Sequence, residues 1–71
     1  MNDTNKTKAQ FYLDTQTKVH ITLVSEIFYN GIIVRVEDDH LVIDDRELGN
    51  TIVFFNELRN NGVEPFKERK K

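Results

Sequence analysis

The chain has 71 residues and no cysteine, and ten basic against twelve acidic residues give it a net charge of −2. A domain of this size buries only about 60% of the surface that its unfolded chain exposes, and without cysteine neither a disulfide nor a thiolate zinc site can stabilise it further. Self-association is then the remaining way for so small a domain to gain stability. No apolar stretch approaches the roughly 20 residues of a membrane span, so we expect a cytoplasmic protein that contacts no membrane.

The charges are distributed unevenly along the chain. Cations stand near both ends and acidic residues crowd the centre. The terminal cations are Lys6, Lys8, Lys67, Arg69, Lys70 and Lys71, and the central acids are Glu37, Asp38, Asp39, Asp44, Asp45 and Glu47. A net negative charge is a poor electrostatic footprint for a protein that must hold a polyanion. Solvated tails and turns are the ordinary interpretation of these runs, and local basic patches are the alternative.

The N-terminal segment gives a weak structural signal. Residues 1–8 are polar and predict a disordered arm, and residues 68–71 predict a basic tail. Between them, residues 9–67 form one domain. Its first part, residues 9–15, could be one or two helical turns on the end of a barrel or an irregular lead-in, because the window is too short for periodicity to decide.

Strand patterns begin at Lys18. The apolar residues Val19, Ile21 and Leu23 alternate with polar ones, as in a half-buried strand. After a tight turn, residues 27–36 predict a long antiparallel strand that contains Gly31. Glycine inside such a run usually marks a bend or a close backbone approach.

The rest of the chain predicts three further strands and one helical turn. Strands are expected at residues 40–43, 51–55 and 62–66, with a polar connection at 44–50 and the helical turn at 56–58. We therefore predict an all-β fold, a five-stranded, strongly bent antiparallel barrel of the SH3-like kind, with a possible short N-terminal helix. The expected buried residues are Val19, Ile21, Leu23, Tyr29, Ile33, Leu41, Ile43 and Ile52.

The strand pattern resembles the Sm-like (LSm/Hfq) family. Residues 19–33 are similar to its first two strands, with alternation, a short turn and an apolar-x-x-x-Gly-x-apolar run. Residues 38–43, Asp-Asp-His-Leu-Val-Ile, resemble its signature of an acidic residue, a variable one, a His or aromatic residue and an apolar pair. The resemblance implies a homo-oligomeric ring of about five to seven subunits, closed where the fourth strand of one subunit pairs with the fifth of its neighbour.

The resemblance also implies single-stranded RNA as a partner. His40, next to Asp39, falls where the family places a ring that stacks on a base. Phe55 and Asn56 fall where the family carries a cation, and Val42 where Sm proteins carry a base-reading asparagine. Lys18 or the basic tails would then contact phosphates. On the opposite face, five residues match positions that receive adenine-rich RNA. They are Thr22, Ile27, Phe28, Tyr29 and Asn30, and Phe28 could instead pack against the N-terminal segment or a neighbour.

Other classes of function find less support in the sequence. Ile43 stands where a calcium loop starting at Asp38 would need glycine, and His20 lacks the spacing of a zinc motif, so we expect no metal. Ser25 is the only serine and no phosphate-binding loop is present, so we expect neither an enzyme nor a cofactor. The open alternative is a structural or protein-interaction module without RNA binding, in which Phe28 and Phe55 contact a protein.

Overall fold

The computed structural model describes residues 3–67 and contains one α-helix and five strands. The elements are α1 (Asp3–Thr15), β1 (Lys18–Leu23), β2 (Phe28–Val36), β3 (His40–Asp45), β4 (Gly49–Phe54) and β5 (Leu58–Pro65), with a 3₁₀ turn at Phe55–Glu57 before β5. Residues 1–2 of the expected arm and the expected basic tail at 68–71 lie outside the described part of the chain. Within it, no helix is both long and apolar enough to span a membrane.

Helix α1 is longer than the sequence indicates. It begins at Asp3, so the expectation of a disordered arm is wrong for residues 3–8. Its inward positions, Asn5, Ala9, Tyr12 and Leu13, follow helical spacing. Because the first of them is a polar asparagine, the apolar pattern covers only the second half of the helix, which is the part that the sequence revealed.

Asn5 attaches the start of the helix to the sheet. The side chain is fully buried, and its Nδ2 donates a hydrogen bond of 2.9 Å to the carbonyl oxygen of Arg59 in β5. Its Oδ1 is also buried and accepts no hydrogen bond from the described residues. The helix is therefore held by a specific polar contact at one end and by apolar packing at the other.

The five strands form one antiparallel sheet with the order β4-β3-β2-β1-β5, which confirms the β-rich part of the prediction. In a flat sheet the outer strands β4 and β5 would be about 19 Å apart. Only residues 55–57 join them, and the four steps from Phe54 to Leu58 span at most about 14 Å. The sheet must therefore curl strongly, so that its two edges approach each other.

The core lies on the concave side of this sheet, beneath α1. Six of the eight expected core residues are buried: Val19, Ile21, Leu23, Ile33, Leu41 and Ile43. Tyr29 is half-buried. The expectation for Ile52 is wrong, because its side chain is 56% exposed while that of Val53 is 1% exposed. The pairing of Leu41 with Val53 turns Val53 inward.

Gly31 marks a close approach of two backbones. It pairs with Asp45 in β3, and a Cβ at this position would overlap the Asp44 carbonyl oxygen and lie 2.8 Å from the Asp44 carbonyl carbon. A separate irregularity follows along β2. Ile33 pairs with Ile43 and Arg35 with Val42, which leaves Val34 as an extra residue in β2. Such a bulge bends a strand and increases its twist.

Strand boundaries differ from the expected ones mainly at the polar ends. The predicted connection at 44–50 is shorter, because Asp44 and Asp45 continue β3 and Gly49 and Asn50 begin β4. β5 begins at Leu58 instead of residue 62, directly after the 3₁₀ turn. Asx and glycine residues suggested loops at these places, but Asp44, Asp45, Gly49 and Asn50 pair with neighbouring strands. At the start of β5, Leu58 pairs with Leu23, and the register then shifts before Val63 pairs with Ile21.

Candidate functional site

The seven predicted RNA-contact residues fall into two separate groups. Asp39, His40, Phe55 and Asn56 lie where the turn before β3 meets the 3₁₀ turn after β4. We call these four residues, with Phe54, the His40 cluster. Two backbone bonds build it: the N–H of Phe55 donates to the Asp39 carbonyl at 2.9 Å, and the N–H of Glu37 donates to the His40 carbonyl at 2.8 Å.

His40 forms an aromatic pair with Phe54, its cross-strand partner. The ring centroids are 5.6 Å apart at an interplanar angle of 61°, an edge-on arrangement. The His40 side chain is one quarter exposed and that of Phe54 somewhat more. The sequence did not single out Phe54, although its place opposite His40 follows once the β3–β4 register is known.

Asp39 fixes the orientation of the His40 ring. His40 Nδ1 lies 2.7 Å from Asp39 Oδ1, and because a carboxylate only accepts, Nδ1 carries the proton. This hydrogen bond is the main cause of a lowered pKa of Asp39. The carboxylate is thus held in its charged form beside the ring, where it attracts cations and repels phosphate.

Two cations beside this turn form ion pairs with acidic residues of the turn. Lys6 Nζ in α1 lies 3.1 Å from Asp38 Oδ1, and Arg35 Nε donates to Glu37 Oε2. Lys6 falls in the segment that the sequence predicts to be disordered, so its approach to the turn could not be predicted. These exposed pairs leave little positive potential at the His40 cluster.

Phe55 and Asn56 occupy different environments in the 3₁₀ turn. Phe55 is half-buried and packs against the core, whereas Asn56 is exposed. Asn56 can therefore offer its amide group to a ligand at the cluster. Phe55 contributes to the cluster mainly through its backbone hydrogen bond to Asp39, which holds the two turns together.

The second group, Lys18, Phe28 and Asn30, lies on the convex face of β1 and β2. Asn30 Oδ1 accepts from His20 Nδ1 at 2.5 Å, and the His20 and Phe28 ring centroids are 5.1 Å apart. Phe28 is 57% exposed, and the ring contact that it makes is with His20 on the neighbouring strand. His20 is the organising residue here, and the sequence had given it no role beyond the excluded zinc motif.

Lys18 does not reach the His40 cluster. Lys18 pairs with Ile32 in β2, and Ile32 pairs with Asp44 in β3. Along β3, Asp44 is four residues from His40, which separates Lys18 from the cluster by about 13 Å in the strand direction. Instead, Lys18 Nζ lies 4.4 Å from the centroid of the Phe66 ring, a cation–π contact. A phosphate held by Lys18 would therefore belong to a different nucleotide from a base on His40.

Residues 3–67 contain no group of three or more histidine and carboxylate side chains placed to hold a metal ion. In comparisons with known proteins, no family model matches the chain and no curated protein is significantly similar to it.

Proposed function

We propose that the chain is a subunit of an Sm-like homo-oligomeric ring, with about five to seven copies, that binds single-stranded RNA weakly at the His40 cluster. The observation that carries the proposal is the meeting of two turns that are distant in sequence. The bond from Phe55 to Asp39 places the His40–Phe54 ring pair beside the exposed Asn56. Aromatic rings beside an amide suit stacking and hydrogen bonding to an unpaired base.

The strand order supports assembly. The resemblance implies pairing between a fourth and a fifth strand, and β4 and β5 are the two edges of this sheet. An edge strand offers backbone N–H and C=O groups for pairing with another chain, and β4 also carries the exposed side chains of Ile52 and Phe54. Pairing of β4 with β5 of a neighbouring copy would satisfy those groups, cover the apolar side chains and complete the bent barrel into a ring.

The charges at the His40 cluster support weak binding. Asp38 and Asp39 flank the ring pair, while Lys6 and Arg35 already face carboxylates. Affinity would then come from stacking and amide contacts, with about one to three phosphate contacts and a correspondingly shallow dependence on salt.

The assembly is tested by Ile52→Pro. Phe55 donates its N–H to Asp39, the residue before β3. Because donors alternate along a paired strand, the N–H of Val53 points to β3, and the N–H groups of Ile52 and Phe54 point to the open edge. Proline at residue 52 removes an outward donor and is tolerated within the subunit. We expect light scattering to give a mass of several subunits for the unmodified protein and a folded species of lower mass for Ile52→Pro.

Val53→Pro is the matched control, because it removes a donor that points inward, to β3. We expect it to lower the stability of the subunit itself. A monodisperse monomer of the unmodified chain at tens of micromolar would contradict the ring.

RNA binding is tested by His40→Ala. Stacking contributes roughly 1 to 3 kcal/mol per base, so the affinity for U-rich or A-rich oligonucleotides should fall about tenfold or more at low salt, measured by fluorescence anisotropy. Gln10→Ala is the control, since Gln10 is exposed on α1 and belongs to neither group of predicted RNA-contact residues. Two results would contradict the proposal. One is that the oligonucleotides do not bind at low salt. The other is that His40→Ala leaves the affinity unchanged while deletion of residues 67–71 abolishes binding.

A further inference from the structure

A groove of about 570 Å³ lies between the start of β2 and the turn that joins β3 to β4. Residues 27–30 line one wall and residues 45–48 the other. We call it the acidic groove. It includes Phe28 and Asn30 but no member of the His40 cluster.

Large apolar side chains are exposed on both walls of the groove. The exposed fractions are 53% for Ile27, 57% for Phe28 and 68% for Leu48. Val24, in the turn before β2, is exposed as well. Apolar side chains grouped in this way on a small domain are typical of an interaction site.

The walls are fixed by hydrogen bonds and do not need to form on binding. Asp45 Oδ1 accepts from the N–H groups of Glu47 at 2.8 Å and Leu48 at 3.0 Å, which shapes the β3–β4 turn. Asp45 Oδ2 accepts from the N–H of Asn30 at 3.3 Å, and the N–H of Arg46 donates to the Asn30 carbonyl at 3.2 Å. A preformed groove loses less conformational entropy when a ligand binds.

The charge of the groove is negative. Its lining contains two carboxylates, Asp45 and Glu47, and one cation, Arg46, and a further carboxylate, Glu26, directly precedes the first wall in the sequence. The three backbone hydrogen bonds lower the pKa of Asp45, with those from Glu47 and Leu48 contributing most, so it stays ionised in mildly acidic solution. Within residues 3–67, Glu26 and Glu47 form no ion pair. Such a surface repels phosphate and attracts lysine and arginine.

We propose that the acidic groove binds a partner protein through an extended segment in which lysine or arginine residues flank large apolar side chains. The apolar side chains would lie between Phe28 and Leu48, and the cations would face Glu26, Asp45 and Glu47. This interface is independent of RNA binding at the His40 cluster, and either can fail without the other.

The test uses the full chain labelled with ¹⁵N and three synthetic peptides. The probe is acetyl-KLKFRK-amide, and the comparison peptides carry glutamate in place of every cation or glycine in place of leucine and phenylalanine. We expect the probe to shift the amide signals of residues 27–30 and 45–48, and each comparison peptide to bind at least about tenfold more weakly. Glu47→Lys should weaken probe binding to a similar extent, whereas Asp14→Lys, the same charge change on exposed α1, should not.

Four results would overturn the proposal. They are no shifts with the probe, shifts confined to other residues, equal binding of either comparison peptide, and groove signals that respond to an A-rich oligonucleotide instead. Deleting residues 68–71 gives one more check. If that deletion moves the groove signals in the absence of peptide, the groove is occupied by the chain's own terminus and the partner proposal is wrong.

Discussion

Gly31→Ala is expected to prevent stable folding. The added methyl group would overlap the Asp44 carbonyl oxygen, which belongs to the backbone of the adjacent strand and cannot rotate away. Separating β2 from β3 at the centre of the sheet should cost about 3 kcal/mol or more, a large part of the stability of so small a domain. Urea denaturation followed by circular dichroism measures the loss.

Gly49→Ala is the matched control for this substitution. Gly49 has φ of +78°, but no heavy atom lies within 4 Å of the place that an alanine methyl group would take, so alanine there meets backbone strain without a clash. That strain costs about 1 to 2 kcal/mol. Equal losses for the two variants would show that the close approach at Gly31 does not govern its effect.

Asn5→Asp is the second substitution with a large expected effect. It removes the Nδ2 donor and places a buried carboxylate beside the Arg59 carbonyl oxygen. An uncompensated buried charge costs about 3 to 5 kcal/mol, so at pH 7 we expect either global unfolding or release of α1 from the sheet. Far-ultraviolet circular dichroism and urea denaturation distinguish the two.

The loss of folding stability caused by Asn5→Asp should depend on pH. Burial raises the pKa of the introduced carboxyl above its unfolded value, so the native state binds a proton more readily than the unfolded state. The stability deficit relative to the unmodified protein should therefore be full at pH 7 and shrink as the pH falls towards 4. Asn5→Leu is the control, with a smaller deficit that does not change with pH. A pH-independent deficit for Asn5→Asp would contradict the burial of this side chain.

The strands could be predicted because their alternation is local. In β1 every second residue is apolar, and the side chains point as the pattern indicates. The run Ile52-Val53-Phe54 has no alternation, so only its pairing with β3 decides which residue is buried. The length of helix α1 could not be predicted for a related reason: its anchoring residue, Asn5, is polar, and burial of an amide cannot be inferred from hydrophobicity.

The candidate site could be predicted only in part. Resemblance placed His40 and Asn56 in one site, and the bond from Phe55 to Asp39 brings their turns together. Lys6 lies near this site because α1 extends to Asp3, and Phe54 lies there because it pairs with His40 across β3 and β4. Neither the length of the helix nor the cross-strand register has a sequence signature of its own. The acidic groove likewise depends on the turn built by Asp45, whose acidic neighbours the sequence suggested only as solvated turn residues.

The open edge of β4 has a consequence for solubility. Residues 50–55, Asn-Thr-Ile-Val-Phe-Phe, contain no charge and no proline and are rich in β-forming side chains, a composition typical of segments that nucleate amyloid-like stacking. The carboxylates nearest in sequence, Glu47 and Glu57, stand outside the strand on either side of it, where charged residues commonly restrain aggregation. A subunit left without a neighbour would expose this strand to any other copy that it met. Assembly into the proposed ring would cover this strand and so keep the chain in solution.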